Sequence, residues 1–203
     1  TTTGNYNTAI GHYAGYDLTS GATNTLIGGF AGDNLTTGSR NIAIGYNALG
    51  LEDGNGHCVA IGYQALKSQD AGADAYNVAV GYNAGQAVTT GTANTIVGGL
   101  TGDALTDGGT NTLVGYDAGG SLTSGGSNVA IGAYALKTED GNGFNVAIGY
   151  SALETLNAGA NAYNVGIGYK AGEAMTTGAY NNTIGGNAGM NLTTGSYNVA
   201  LGY

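Results

Sequence analysis

Asn41–His57 reads NIAIGYNALGLEDGNGH, and nearly the same run returns at Asn128–Phe144 as NVAIGAYALKTEDGNGF. The match is one instance of a wider periodicity. The pattern Asn-x-x-(Ile/Val/Leu)-Gly starts at Asn7, Asn24, Asn41, Asn77, Asn94, Asn111, Asn128, Asn145, Asn164, Asn181 and Asn198, with Cys58 in the Asn slot between Asn41 and Asn77. Successive starts lie 17 residues apart, except for steps of 19 after Cys58 and after Asn145. Those long steps are 87 residues apart, so a block of five coils is duplicated. A fixed period of this length is the signature of a solenoid, in which each repeat buries its apolar face against its neighbours.

The averaged coil, numbered from Asn as position 1, is N-V-A-I-G-Y-x-A-G-x-x-L-T-T-G-x-x. Positions 2 to 4 alternate with the period of a strand. Position 4 is Ile, Val or Leu in every copy, from Ile10 to Leu201, so positions 2 and 4 are expected to point inward as a stacked apolar core. Position 3, mostly Ala, and position 5, always Gly, are then expected to face outward. Such a small-residue column suggests close approach by another backbone, that of a second copy. Thr-Thr-Gly at positions 13 to 15, as in Thr36-Thr37-Gly38, predicts a second short strand and a glycine turn. The fold class expected is an all-β parallel β-solenoid, a β-roll of 17-residue coils with about eleven coils in one domain over residues 1–203. A flattened two-sided roll suits that length, with a small triangular helix as the alternative. Twelve rungs make a rod roughly 55 Å long.

Two further correlations concern packing. Gly at position 9 goes with a large residue at position 12, as in Gly32 with Leu35, whereas Leu49, Leu66 and Leu136 go with Glu52, Gln69 and Glu139. This is volume conservation in one pocket, broken only where Leu153 meets Leu156. Where position 3 is large, at Leu26, Ile96 and Thr183, position 6 is Gly (Gly29, Gly99, Gly186), which suggests a shared space, with Leu113 beside Tyr116 as the exception. The Asn column is expected to form a ladder of stacked amides that also satisfies turn backbone. Cys58 reads as a small buried substitute in it.

Composition narrows the function. Gly supplies 41 residues and Pro none, without the Gly-X-Y period of collagen. Charged residues are 8% of the chain and its net charge is −9. Four scattered cations, Arg40, Lys67, Lys137 and Lys170, do not form the cluster that nucleic acid or an anionic membrane requires. One cysteine allows no internal disulfide. No apolar run has the length of a membrane span, and Thr1-Thr2-Thr3-Gly4 does not read as a signal peptide.

Asn7–Gly11 (NTAIG), Asn41–Leu49 (NIAIGYNAL), Asn128–Gly132 (NVAIG), Asn145–Leu153 (NVAIGYSAL) and Asn198–Tyr203 (NVALGY) resemble the NSVAIG-type head repeats of trimeric autotransporter adhesins. They also resemble the NTAIGYxAL…TTG arrays of phage tail-fibre proteins, which the 17-residue coil matches better than the shorter adhesin repeat. The resemblance implies a parallel β-roll, three chains about one axis, and an extracellular place on a cell surface or virion.

The expected function is therefore a structural and adhesive shaft segment of a longer fibre protein, tail fibre or surface adhesin. It is expected to associate with itself as a homotrimer or filament, to meet a host surface glycan, and to use no cofactor, nucleic acid or membrane. The alternative is a ligand-binding solenoid surface for glycan or ice. Tyr82 and Tyr169, in the position-6 column, are the candidate glycan contacts because a flat ring suits a sugar. The Thr columns at positions 13 and 14 suggest ice. Asp53 and Asn55, with Asp140 and Asn142, resemble fragments of a calcium loop but lack its further carboxylates; Asp70 and Asp74 are similar candidates. His12 and His57 have no ligand cluster around them in the sequence, and no spacing suggests a catalytic residue, so an enzyme is not expected.

Overall fold

The computed structural model describes residues 3–54 and 56–203. It is an all-β parallel β-solenoid of about eleven turns, with no helix among the described residues. Each coil contributes one three-residue strand. These are β1 (Thr8–Ile10), β2 (Thr25–Ile27), β3 (Ile42–Ile44), β4 (Val59–Ile61), β5 (Val78–Val80), β6 (Thr95–Val97), β7 (Thr112–Val114), β8 (Val129–Ile131), β9 (Val146–Ile148), β10 (Val165–Ile167), β11 (Asn182–Ile184) and β12 (Val199–Leu201). They form one sheet in chain order, every neighbour parallel. Register follows the repeat, so that Ala43 faces Ala60 and Ala60 faces Ala79 across the long step. The two extra residues of each 19-residue coil bulge out away from the strand, around Gly72 and Gly159, where an added Cβ would meet nothing within 4 Å.

The sidedness of the strand is the reverse of the expectation. Position 3 points inward: Leu26, Ala43, Ala60, Ile96 and Ala147 are fully buried. Positions 2 and 4 point outward, and Ile42, Ile131 and Ile184 are 37%, 37% and 40% exposed. The interior is filled from across the coil instead, by the position-8 alanines and by large residues at positions 9 and 12 such as Leu49, Leu66, Leu35 and Met175. A strand wall of alanine leaves room for them in a coil this narrow.

Positions 9 and 12 do share the interior, and position 3 shares it with them. The Leu26 methyls fill the space beside Gly15 and Gly32, where an added Cβ would come within 2.7 and 2.9 Å. Position 3 therefore does not trade with position 6. Gly29, Gly99 and Gly186 lie on the outside under the ring of the following coil: an added Cβ would sit 3.5 Å from Tyr46, 3.7 Å from Tyr116 and 3.6 Å from Tyr203.

The invariant Gly at position 5 is explained within one chain, not by a partner. Its φ runs from +113° to +144°, a region open essentially to glycine, and a Cβ on Gly115 would lie 2.5 Å from the carbonyl oxygen of Gly132 in the next coil. The other corners are turned by residues in the left-handed region at positions 7, 9 and 17, including Asn47, Leu49 and His57 at +54°, +53° and +65°.

The predicted second strand is absent. Thr36-Thr37-Gly38 and its equivalents are bends. The coils are held together there by the position-13 backbone and hydroxyl: Thr19 N–H and Oγ1 both donate to the Thr36 carbonyl, at 2.9 Å each. Backbone bonds link consecutive coils at other corners too, for example from Gly15 N–H to Ala31 O at 3.0 Å and from Arg40 N–H to Ala22 O at 3.0 Å.

Candidate functional site

No cavity opens among the described residues, so the candidate surfaces are the columns that run along the rod. The inner column is the asparagine ladder. Asn24 Oδ1 accepts the Asn41 N–H at 2.9 Å, and the same bond joins Asn94 to Asn111 (2.9 Å), Asn111 to Asn128 (2.9 Å) and Asn164 to Asn181 (2.9 Å). The amide nitrogen crosses its own coil, Asn111 Nδ2 donating to Gly125 O at 2.9 Å and Asn164 Nδ2 to Gly178 O at 2.7 Å. In these coils the buried Asn ties the strand's entrance to the glycine bend and to the next rung, whereas Asn128 Nδ2 donates to Asn142 O at 2.9 Å and Asn145 Nδ2 to Gly143 O at 3.3 Å. Asn7, Asn77, Asn145 and Asn198 take part in the same column.

Cys58 is fully buried, and burial pushes its thiol up to about 12. Such a thiol is inert at neutral pH, because the thiolate is the nucleophile. Its N–H still donates to the Asn41 amide oxygen at 3.0 Å.

The loop acids separate into two arrangements. Glu52, Asp53 and Asp70 bring one carboxylate oxygen each to within 4.8 Å of one another, with Glu52 buried. They are oxygen ligands of the kind a hard cation takes, three where calcium takes six to eight. Asn55 falls outside the described residues. In the second block Asp140 has Asn157 opposite it in place of Asp70, and Asn142 turns inward, its Nδ2 donating to the buried Glu139 Oε1 at 2.6 Å. Burial holds the Glu139 carboxyl above the usual range, against the opposing hydrogen bonds from Asn142 and Ala158. Asp74 pairs with His57 at 3.1 Å. Glu52 and Glu139 were legible only as volume partners of Leu49 and Leu136.

Two aromatic ladders flank the outer face of the sheet. At position 6, Tyr46, Tyr63 and Tyr82 stack at 5.5 and 5.3 Å, and Tyr150 stacks on Tyr169 at 5.6 Å. Tyr82 and Tyr169 are the last rungs of these stacks, each followed by a glycine, Gly99 or Gly186. The second ladder lies at position 17, where Phe144, Tyr163, Tyr180 and Tyr197 stack at 5.0, 5.3 and 5.0 Å. It escaped the sequence reading, although an aromatic just before the repeat Asn at these coils was its signal.

Between the ladders runs the outward column of positions 2 and 4. In no coil do positions 1 to 6 contain Asp, Glu, Lys or Arg; all thirteen acids and all four Lys and Arg lie elsewhere on the coil. Neither protein-family models nor curated proteins nor solved structures give a match to this chain.

Proposed function

We propose that this chain is a shaft segment of an extracellular fibre, a non-catalytic structural and adhesive element of a phage tail fibre or surface adhesin that works as an assembly of its own copies. The observation that carries the reading is the continuity of the rod. Twelve rungs are joined in one unbroken parallel sheet by backbone bonds, reinforced by a buried amide column that is interrupted at Cys58 and by stretches of stacked rings. Each repeat is braced by its neighbours, as a spacer requires. The likeness of the repeats to adhesin-head and tail-fibre arrays supports the same reading and an extracellular, cell-surface or virion location.

The test is the distance between spin labels in the first and last coils, at Tyr6→Cys and Tyr197→Cys. A shaft gives one narrow distribution near roughly 50 Å, the rise of eleven strand spacings. A broad distribution overturns the reading.

A host glycan is the second reading, favoured by the position of Tyr82 and Tyr169 at the ends of their stacks. Glycan-array binding that is lost in Tyr82→Ala and Tyr169→Ala supports it, and an array without binding overturns it.

A further inference from the structure

Among the described residues, the outer face of the sheet carries no formal charge, and its position-4 column is apolar from end to end. Position 4 presents Ile, Val or Leu on every rung, and β3–β5 and β8–β10 add Ile or Val at position 2. Lone exposed apolar residues are ordinary, but folded monomers rarely expose a contiguous patch beyond a few hundred Å². With its flanking tyrosines this face measures roughly 55 Å by 15 Å, about the 800 Å² that each partner commits to a stable interface.

We infer that this face docks a second copy of the same chain, and that the banding of position 2 sets the axial register between copies. The inference rests on the fibre reading and assigns its interface. Two observations favour a second copy over another partner. A flat surface that repeats at every strand spacing is matched over its full length by a rod of the same spacing. The chain has a net charge of −9, yet keeps every formal charge off positions 1 to 6, so two like-charged copies bring their strands together without a charge between them, with Arg40 and Lys170 left at the flanks.

The face is not uniform. β1, β2, β6 and β7 carry Thr at position 2 and β11 carries Asn, whereas β3–β5 and β8–β10 carry only Ile or Val there. The bands repeat with the duplicated five-coil block, every roughly 24 Å. Alignments that set apolar rungs on apolar rungs are allowed; a slip of two or three rungs would bury Thr hydroxyls against Val and Ile without partners.

Sedimentation equilibrium of the whole chain tests the interface. The wild type is expected to associate, and the outward-facing pair Ile61→Glu and Ile148→Glu to weaken association at least tenfold with an unchanged circular dichroism spectrum. Thr90→Glu with Thr177→Glu, on exposed bends away from the sheet, is expected to change nothing. Register is read by cross-linking: a chain bearing Ile61→Cys is expected to link to copies bearing Ile61→Cys or Ile148→Cys, and a link to Val114→Cys on β7 overturns the register assignment. Association that survives the sheet substitutions overturns this face while leaving the fibre reading in place. A wild type that stays monomeric overturns self-association altogether.

Discussion

Leu153 occupies the space that a side chain at residue 166 would need, since a Cβ on Gly166 would come within 2.7 Å of Leu153 Cγ. Gly166 is the only glycine at position 3, and it sits above the only coil in which positions 9 and 12 are both leucine, Leu153 and Leu156. The apparent exception to volume conservation is therefore compensated one rung later. Gly166→Ala should cost about 1–3 kcal/mol by overpacking and Leu153→Ala about 2–5 kcal/mol by leaving a cavity. In the double variant the costs should fall short of their sum by at least ~1 kcal/mol in a urea-unfolding cycle; strict additivity would mean that the two do not share space.

The position-5 column makes a sharper contrast. Gly115→Ala combines a forbidden φ of +142° with collision against the next coil's backbone. Gly72→Ala, at +68° with open space around it, should cost only about 1 kcal/mol of backbone strain. Thermal melts should show a loss several times larger for Gly115→Ala. Equal losses would mean that the stacking contact is unimportant.

The amide ladder can be broken or completed. Asn111→Ala strands the Asn128 N–H and the Gly125 carbonyl in the interior, at a cost on the order of 3 kcal/mol. At Cys58 the acceptor offered to the Asn77 N–H is a sulfur, which bonds weakly. Cys58→Asn should therefore stabilise by about 1 kcal/mol, read as a higher urea midpoint; a lower midpoint would count against the ladder's role.

Glu139 makes stability depend on pH. Its folded pKa is raised above the ordinary 4.5, first by burial, so the folded chain holds that proton more tightly than the unfolded one. The stabilising contribution is complete below pH 4.5 and is lost as pH rises through the raised value. Glu139→Gln, which puts at this coil the amide found at Gln69, should raise the melting temperature at neutral pH, and the gain should shrink as the medium is acidified. A gain that is constant with pH would place the effect elsewhere.

The period, the parallel stack and the buried Asn column were legible because they repeat: twelve imperfect copies average out local noise. The inside and outside of the strand were not. Val-Ala-Ile looks like two core residues around a spacer, but a coil this thin is packed from the opposite wall, and the strand contributes the small side. The signal lay between positions 3 and 9, where Leu26, Ile96 and Leu113 accompany Gly32, Gly102 and Gly119, while Ala43, Ala60 and Ala147 accompany Leu49, Leu66 and Leu153. Thr-Thr-Gly has the composition of a strand, but its threonines serve a different bond, from hydroxyl to the next coil's carbonyl. Of the acids, the closeness of Asp53 to Asp70 was invisible before the coils were stacked.

The sidedness of the strand underlies both the packing and the docking face, and thiol labelling of two adjacent positions tests it most directly. Cys58 is buried and contributes little background. Ala147→Cys should resist labelling at every protein concentration, whereas Ile148→Cys should label readily in dilute solution and become protected as copies associate. Rapid labelling of Ala147→Cys, with Ile148→Cys protected even when dilute, would contradict the account.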